Sequence, residues 1–196
     1  MIDKLQRITK ETFSSVDKSE DFFTVSNKFR NDIKSFFEPK KHRFLEVGCY
    51  RGLTAKALSP HFSKYLGIDN RWQNLLVARI INAFKPNVSF IKYDLYNNSD
   101  WSTIKFPADI ILIDASHAYK DVCQDIQNCI DRYQDAFVIF DDYGAHEGVY
   151  NAVNEYIDKN LLEVLSEIGA KKEELDSPFP NKFGSEGLIC RIGRTS

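Results

Sequence analysis

The chain has 196 residues, enough for one domain that buries roughly 70% of the surface its unfolded form exposes. A composition 43% apolar and 28% charged excludes a largely disordered chain, and 26 Lys and Arg against 28 Asp and Glu give a net charge of −2, with no basic field to draw it to nucleic acid. The longest apolar runs, Ile110–Ile113 and Ala136–Phe140, are too short to cross a membrane. The charged start Met1–Arg7 lacks the apolar run of a signal peptide. Cys49, Cys123, Cys129 and Cys190 show no paired or zinc-like spacing. The expectation is a cytoplasmic protein with reduced thiols and no membrane partner.

In chain order, residues 1–40 read as one or two cover helices, with apolar positions Phe22, Phe23, Phe29, Ile33, Phe36 and Phe37. Five short apolar runs follow: Arg43–Val47, Lys64–Ile68, Val88–Tyr93, Asp109–Ile113 and Ala136–Phe140. Their apolar residues are consecutive, as in strands buried on both faces. Amphipathic segments separate them. Tyr119, Val122, Cys123, Ile126, Cys129, Ile130 and Tyr133 form one helical stripe, and Tyr119 is read as core; Val149, Ala152, Val153, Tyr156 and Ile157 form another. This alternation predicts an open α/β sheet with helices on both faces. Leu161–Ile168 and Gly187–Ile192 are two further strand candidates with no strong helix between them, hence antiparallel. A helix through Leu161–Ile168 fits the spacing as well.

The first strand runs into Glu46-Val47-Gly48-Cys49-Tyr50-Arg51-Gly52-Leu53-Thr54. Gly48 and Gly52 bracket a tight turn opening a helix, where a missing Cβ lets a ligand approach the backbone. The second strand ends in Asp69-Asn70, and an acid there is placed to hold ribose hydroxyls. The spacing is not the G-x-G-x-x-G of a dinucleotide site, and an acid two residues before the first glycine suits a ligand carrying a cation.

Glu46-x-Gly48-x-x-x-Gly52 followed by Asp69 resembles the first two motifs of class I S-adenosylmethionine-dependent methyltransferases. The resemblance covers about 43–192 and implies a single Rossmann-like domain over 1–196, with a mostly parallel seven-stranded sheet ending in an antiparallel hairpin. It also implies that the cofactor lies against Glu46, Gly48, Cys49, Tyr50, Gly52, Thr54, Asp69, Asn70, Asp94, Leu95 and Asp114, with Asp94 near adenine.

The fourth strand ends Ile113-Asp114-Ala115-Ser116-His117-Ala118-Tyr119 and the fifth Phe140-Asp141-Asp142. The carboxyl ends of parallel strands face one crevice, so Asp114, Asp141 and Asp142 converge, an oxygen-rich set suited to Mg²⁺ or Mn²⁺. The bland readings are a helix cap for Asp114 and a solvated turn for Asp141-Asp142. Asp114-x-x-His117-x-Tyr119 with the acidic pair resembles metal-dependent O-methyltransferases of the macrocin type. That resemblance implies Asp114, Asp141 and Asp142 as metal ligands, His117 as general base, and a sugar, glycan or other diol hydroxyl as acceptor. The long N-terminal extension of that family is missing here. His146 lies close enough in sequence to line the same crevice. Two rivals stand beside this reading: a non-catalytic cofactor- or nucleotide-binding protein, and a metal-free methyltransferase.

Overall fold

The structure, a computed structural model, describes residues 24–96, 101–171 and 182–193. The N-terminal positions Phe22 and Phe23 lie outside these residues. Within them, α1 (Asn27–Phe36) precedes an alternation of β1 (Arg43–Val47), α2 (Leu53–Leu58), β2 (Lys64–Asp69), α3 (Trp72–Ile81), β3 (Val88–Lys92), β4 (Ile110–Ile113), α4 (Tyr119–Arg132), β5 (Phe137–Phe140), α5 (Glu147–Asp158), β6 (Leu162–Ile168) and β7 (Gly187–Ile192). Single turns of 3₁₀ helix lie at Ser59–His61 and Trp101–Thr103. The segment 161–168 is therefore a strand, not a helix.

The seven strands form one sheet in the order β3-β2-β1-β4-β5-β7-β6. The pairs among β1 to β5 are parallel; β7 runs antiparallel to β5 and to β6, with a register shift between Val164 and Ser166. This is the Rossmann-like sheet of class I methyltransferases, hairpin included. The expected seven strands are present, with ends moved by at most one residue. The expectation of burial on both faces fails at β3. There Phe90 alone is buried, because β3 is an edge strand.

Each face of the sheet has its own core. Leu45, Val47, Ile111, Ile113, Val138 and Phe140 pack with Val122, Ile126 and Cys129 of α4 and Val149, Ala152 and Val153 of α5. On the opposite face Phe44, Ile110, Leu112 and Ile139 meet Phe29 and Ile33 of α1, Ala55 and Leu58 of α2, and Leu75 and Ala78 of α3. The period of two along a strand puts Glu46 on the same face as Phe44, beneath α1. All four cysteines are unpaired. No helix among the described residues is long and apolar enough to cross a membrane.

The helix α1 is fixed at its start by Ser26, whose hydroxyl accepts the Phe29 amide and donates to Glu186 Oε2 at 2.6 Å. The Ser26 amide donates to Glu186 Oε1 at 2.8 Å, so the residue before β7 anchors the helix cap. Gly187 allows this approach. A Cβ there would lie 2.2 Å from the Phe140 carbonyl oxygen and 2.4 Å from Phe29 Cε2. Gly187→Ala is expected to destabilise the protein by about 1–3 kcal/mol through overpacking, measured by urea unfolding. An unchanged midpoint would contradict this packing.

Candidate active site

The turn after β1 is held by backbone. Gly48 and Cys49 amides both donate to the Ile68 carbonyl, at 2.9 and 2.8 Å, and the Gly52 amide donates to Cys49 O. Gly48 has φ +95° and Gly52 φ +73°, conformations that favour glycine. The space at both glycines is taken by the protein. A Cβ on Gly48 would stand 1.9 Å from the Asp114 carbonyl oxygen, and one on Gly52 2.8 Å from Ala78 Cβ. Both glycines therefore serve first the packing of the turn onto β4 and α3. Cys49 and Leu95 are core side chains, so only their backbone is available to a ligand. Tyr50 has φ +43° and carries Arg51 over its ring at 5.0 Å. Thr54 is buried, with its hydroxyl 3.0 Å from that of Thr24.

At the end of β2, Asp69 is nearly buried. Its Oδ1 accepts the Arg71 amide at 2.7 Å and Asn74 Nδ2 at 3.2 Å. Both bonds fall on one oxygen. Asn70 is exposed beside it, and Asp94 accepts the Tyr96 amide at 3.2 Å in a turn of its own.

Glu46 is buried at 1% exposure and accepts a hydrogen bond from Tyr65 Oη at 2.9 Å. Burial pushes its carboxyl up to about 7, against the opposing pull of the Tyr65 hydroxyl and the Arg30 guanidinium. Arg30 reaches in from α1 and lies in the field of Glu46, Glu186 and Asp141. Neither Arg30 nor Glu186 stands out in the sequence as a site residue. The one available signal is that Arg30 follows the buried Phe29 on a helix that must cover the strand ends.

The three expected acids meet. One oxygen from each of Asp114, Asp141 and Asp142 can be chosen so that all lie within 4.8 Å of one another. Asp141 is buried and its Oδ1 has no hydrogen-bond partner. Burial, then the charges of Asp142, Glu46 and Glu186, pushes Asp114 well above the usual carboxylate range; burial, then Asp114 and Asp142, does the same to Asp141. The helix-cap reading of Asp114 fails here. Helix α4 is capped at Ala118 without a side chain, and Ser116 supplies the local bonds by accepting the Ala118 amide and donating to Asp121.

Asp142 stands at φ +58°, and its carbonyl accepts the amides of Ala145 and His146. Its Oδ2 lies 2.8 Å from His117 Nε2 and 4.0 Å from His146 Nε2. The two imidazoles stack with centroids 4.1 Å apart. Burial and the neighbouring His117 lower the pKa of His146 below the ordinary imidazole value. Tyr119, read from the sequence as core, is 44% exposed and donates to Glu155 instead. It opens α4, where the first turn extends beyond the core.

The raised carboxyl of Glu46 sets a pH dependence. Its proton is held more tightly in the folded chain, so the stabilisation is full below about 4.5 and is lost as pH rises through about 7. The size is on the order of 3 kcal/mol, from 1.36 kcal/mol per pH unit. Glu46→Gln is expected to flatten the fall of Tm between pH 5 and about 7.5, read by thermal unfolding in matched buffers. A mutant with the wild-type slope would contradict the burial of this acid.

With the geometry in place, comparison with known proteins gives the family. Residues 45–143, just over half of the chain, match the model of a methyltransferase domain. No curated protein sequence matches. Among solved structures, cofactor-bound Rv0187 from MTB superposes with a TM-score of 0.67 at 14% identity, covering 95% of this chain and 90% of that one. The O-methyltransferase from Bacillus cereus in complex with SAH gives 0.64 at 12% identity, covering 94% and 90%. The O-methyltransferase TomG from Streptomyces achromogenes, in complex with SAM, gives 0.64 at 13% identity over 95% and 96%. At such identities these likenesses speak for the fold. The matched model runs from within β1 past the end of β5, the stretch that carries the glycine turn and all three converging acids, and the chain belongs to this methyltransferase-domain family.

Proposed function

We propose that this protein is an S-adenosylmethionine-dependent O-methyltransferase that uses a divalent cation and acts on a hydroxyl of a sugar, glycan or other diol. The observation that carries the reading is the acid cluster: three carboxylates within 4.8 Å, with Asp141 Oδ1 buried and unpartnered, one contact away from the glycine turn. The field of Arg30 is shared among Glu46, Asp114, Asp141 and Glu186, which leaves negative charge over. That surplus fits a hard cation on oxygen ligands. Asp114, Asp141 and Asp142 would hold Mg²⁺ or Mn²⁺, which supplies Lewis acidity toward an acceptor hydroxyl.

The cofactor would lie along the β1 turn. Asp69 keeps its Oδ2 for ribose hydroxyls while Oδ1 serves Arg71 and Asn74. Glu46 sits where a sulfonium or ammonium group would favour its ionised form. His117 donates Nε2–H to Asp142, which leaves Nδ1 as the ring nitrogen with the lone pair, available to take the hydroxyl proton. Asp142 thereby orients the base. Transfer itself is a displacement at the cofactor methyl: the acceptor oxygen forms the C–O bond as the C–S bond breaks. The chain's part is alignment and proton removal.

Asp69→Ala is expected to weaken cofactor binding by about 1.5–3 kcal/mol in calorimetry, the scale of hydrogen bonds to a charged group. Unchanged affinity would remove the ribose from this strand end. His117→Ala is expected to lower kcat by roughly 10²–10⁴ with cofactor affinity kept. The acceptor is found by screening glycans and polyphenols with labelled cofactor, with and without EDTA. Transfer that survives EDTA unchanged would contradict the metal, and cofactor binding without transfer to any acceptor would favour a binding protein.

A further inference from the structure

Beside the three acids lies a second ligand set of different chemistry, and it contains two imidazoles. His117 Nε2 and His146 Nε2 both point at the same oxygen, Asp142 Oδ2, from 2.8 and 4.0 Å. One donor atom from each of the three residues lies within 4.8 Å of the others. Ligand atoms at about 2.0–2.1 Å on a tetrahedral Zn²⁺ stand about 3.3 Å apart, a separation that the two observed distances bracket. All three side chains are partly exposed, which gives an ion a path in.

The set is also held in place by backbone. Asp142 and His146 are one turn apart and joined by the His146 amide on the Asp142 carbonyl at 2.9 Å. His117 is on a different loop, and Gly148 clamps that loop to the start of α5. A Cβ at Gly148 would fall 2.2 Å from the His117 carbonyl oxygen and 2.9 Å from the Tyr119 nitrogen. This contact holds the backbones that carry the two stacked rings beside each other. Two nitrogens and one carboxylate oxygen suit a borderline ion such as Zn²⁺, whereas the neighbouring all-oxygen set suits Mg²⁺.

We propose that His117, Asp142 and His146 form a regulatory zinc site, sharing Asp142 with the acidic metal site and inhibiting methyl transfer when filled. The inhibitory half rests on the function proposed above; the binding half stands without it. Zinc on Nε2 of His117 displaces the proton that this nitrogen gives to Asp142, which is released to solvent. The imidazole is then pinned to the ion, and Asp142 is drawn from the acidic set. His146 is neither one of the three acids nor the proposed base, so its substitution tests zinc binding without removing any of them.

The test uses the full chain and Co²⁺ as a spectroscopic stand-in, followed by Zn²⁺ competition. Wild type is expected to give the intense visible absorption of four-coordinate cobalt, bleached by one equivalent of Zn²⁺. His146→Ala and the size-conserving His146→Gln should both lose this signal, while Asp114→Asn keeps it. Added Zn²⁺ should inhibit wild-type transfer, and the two His146 variants, each compared with its own zinc-free rate, should resist that inhibition. Cobalt spectra that are unchanged in both His146 variants, or absent in wild type, would overturn the site. Zinc bound as described without inhibition would overturn the regulatory role. A chain that transfers no methyl group but still shows the His146-dependent cobalt signal would count against the proposed function and leave the zinc site standing.

Discussion

Charge imbalance at the carboxyl edge of the sheet is the constraint on which the rest of the molecule depends. Burial, and the charges of Glu46, Asp142 and Glu186 around them, raise the proton affinity of Asp114 and Asp141, and the guanidinium of Arg30 reaches toward these acids from α1. Like charges held this near are tolerated only as protonated acids or around a cation. A fold that gathers them without need would be destabilised above neutral pH. On the proposed function the cluster is a cation-binding site, and α1, which carries Arg30, belongs to it as much as to the hydrophobic core.

The cluster is assembled by close backbone approaches that side chains would block. Gly48 rests on the carbonyl of Asp114, Gly187 on that of Phe140, and Gly148 on that of His117. Each brings a strand end or helix start within van der Waals range of another element, and together they draw β1, β4, β5 and β7 toward one point. Parallel strands supply the common direction. The glycines supply the closeness. Glu186 then ties the start of α1 to the same edge through Ser26, so the helix that delivers Arg30 is registered against the strands that deliver the acids.

Much of this was legible in the sequence because strand ends announce themselves. Consecutive apolar runs located the strands, and acids directly after a run had to sit at the crevice, which is how Asp69 could be read toward the cofactor and Asp114, Asp141 and Asp142 as a converging set; Glu46, inside the first run, was marked by its place two residues before Gly48. Contacts that depend on tertiary packing were not legible. Gly48 looked like room for a ligand, yet the space is filled by Asp114, a residue far along the chain. Tyr119 fitted the helical stripe, but the first turn of α4 extends past the core and leaves it exposed. Arg30 and Glu186 carry no local motif; their roles follow from α1 lying over β7, which periodicity does not reveal. The two imidazoles on Asp142 are likewise a product of two loops meeting.

The account stands or falls on whether the acid cluster takes up a hard cation. Titration of Mn²⁺ into the full chain, followed by electron paramagnetic resonance of the free ion, measures this directly. The account predicts one site whose occupancy is lost in Asp141→Asn, a substitution that removes charge at the buried carboxylate while keeping its size. Mn²⁺ that binds the variant as it binds wild type, or that binds neither, would contradict it.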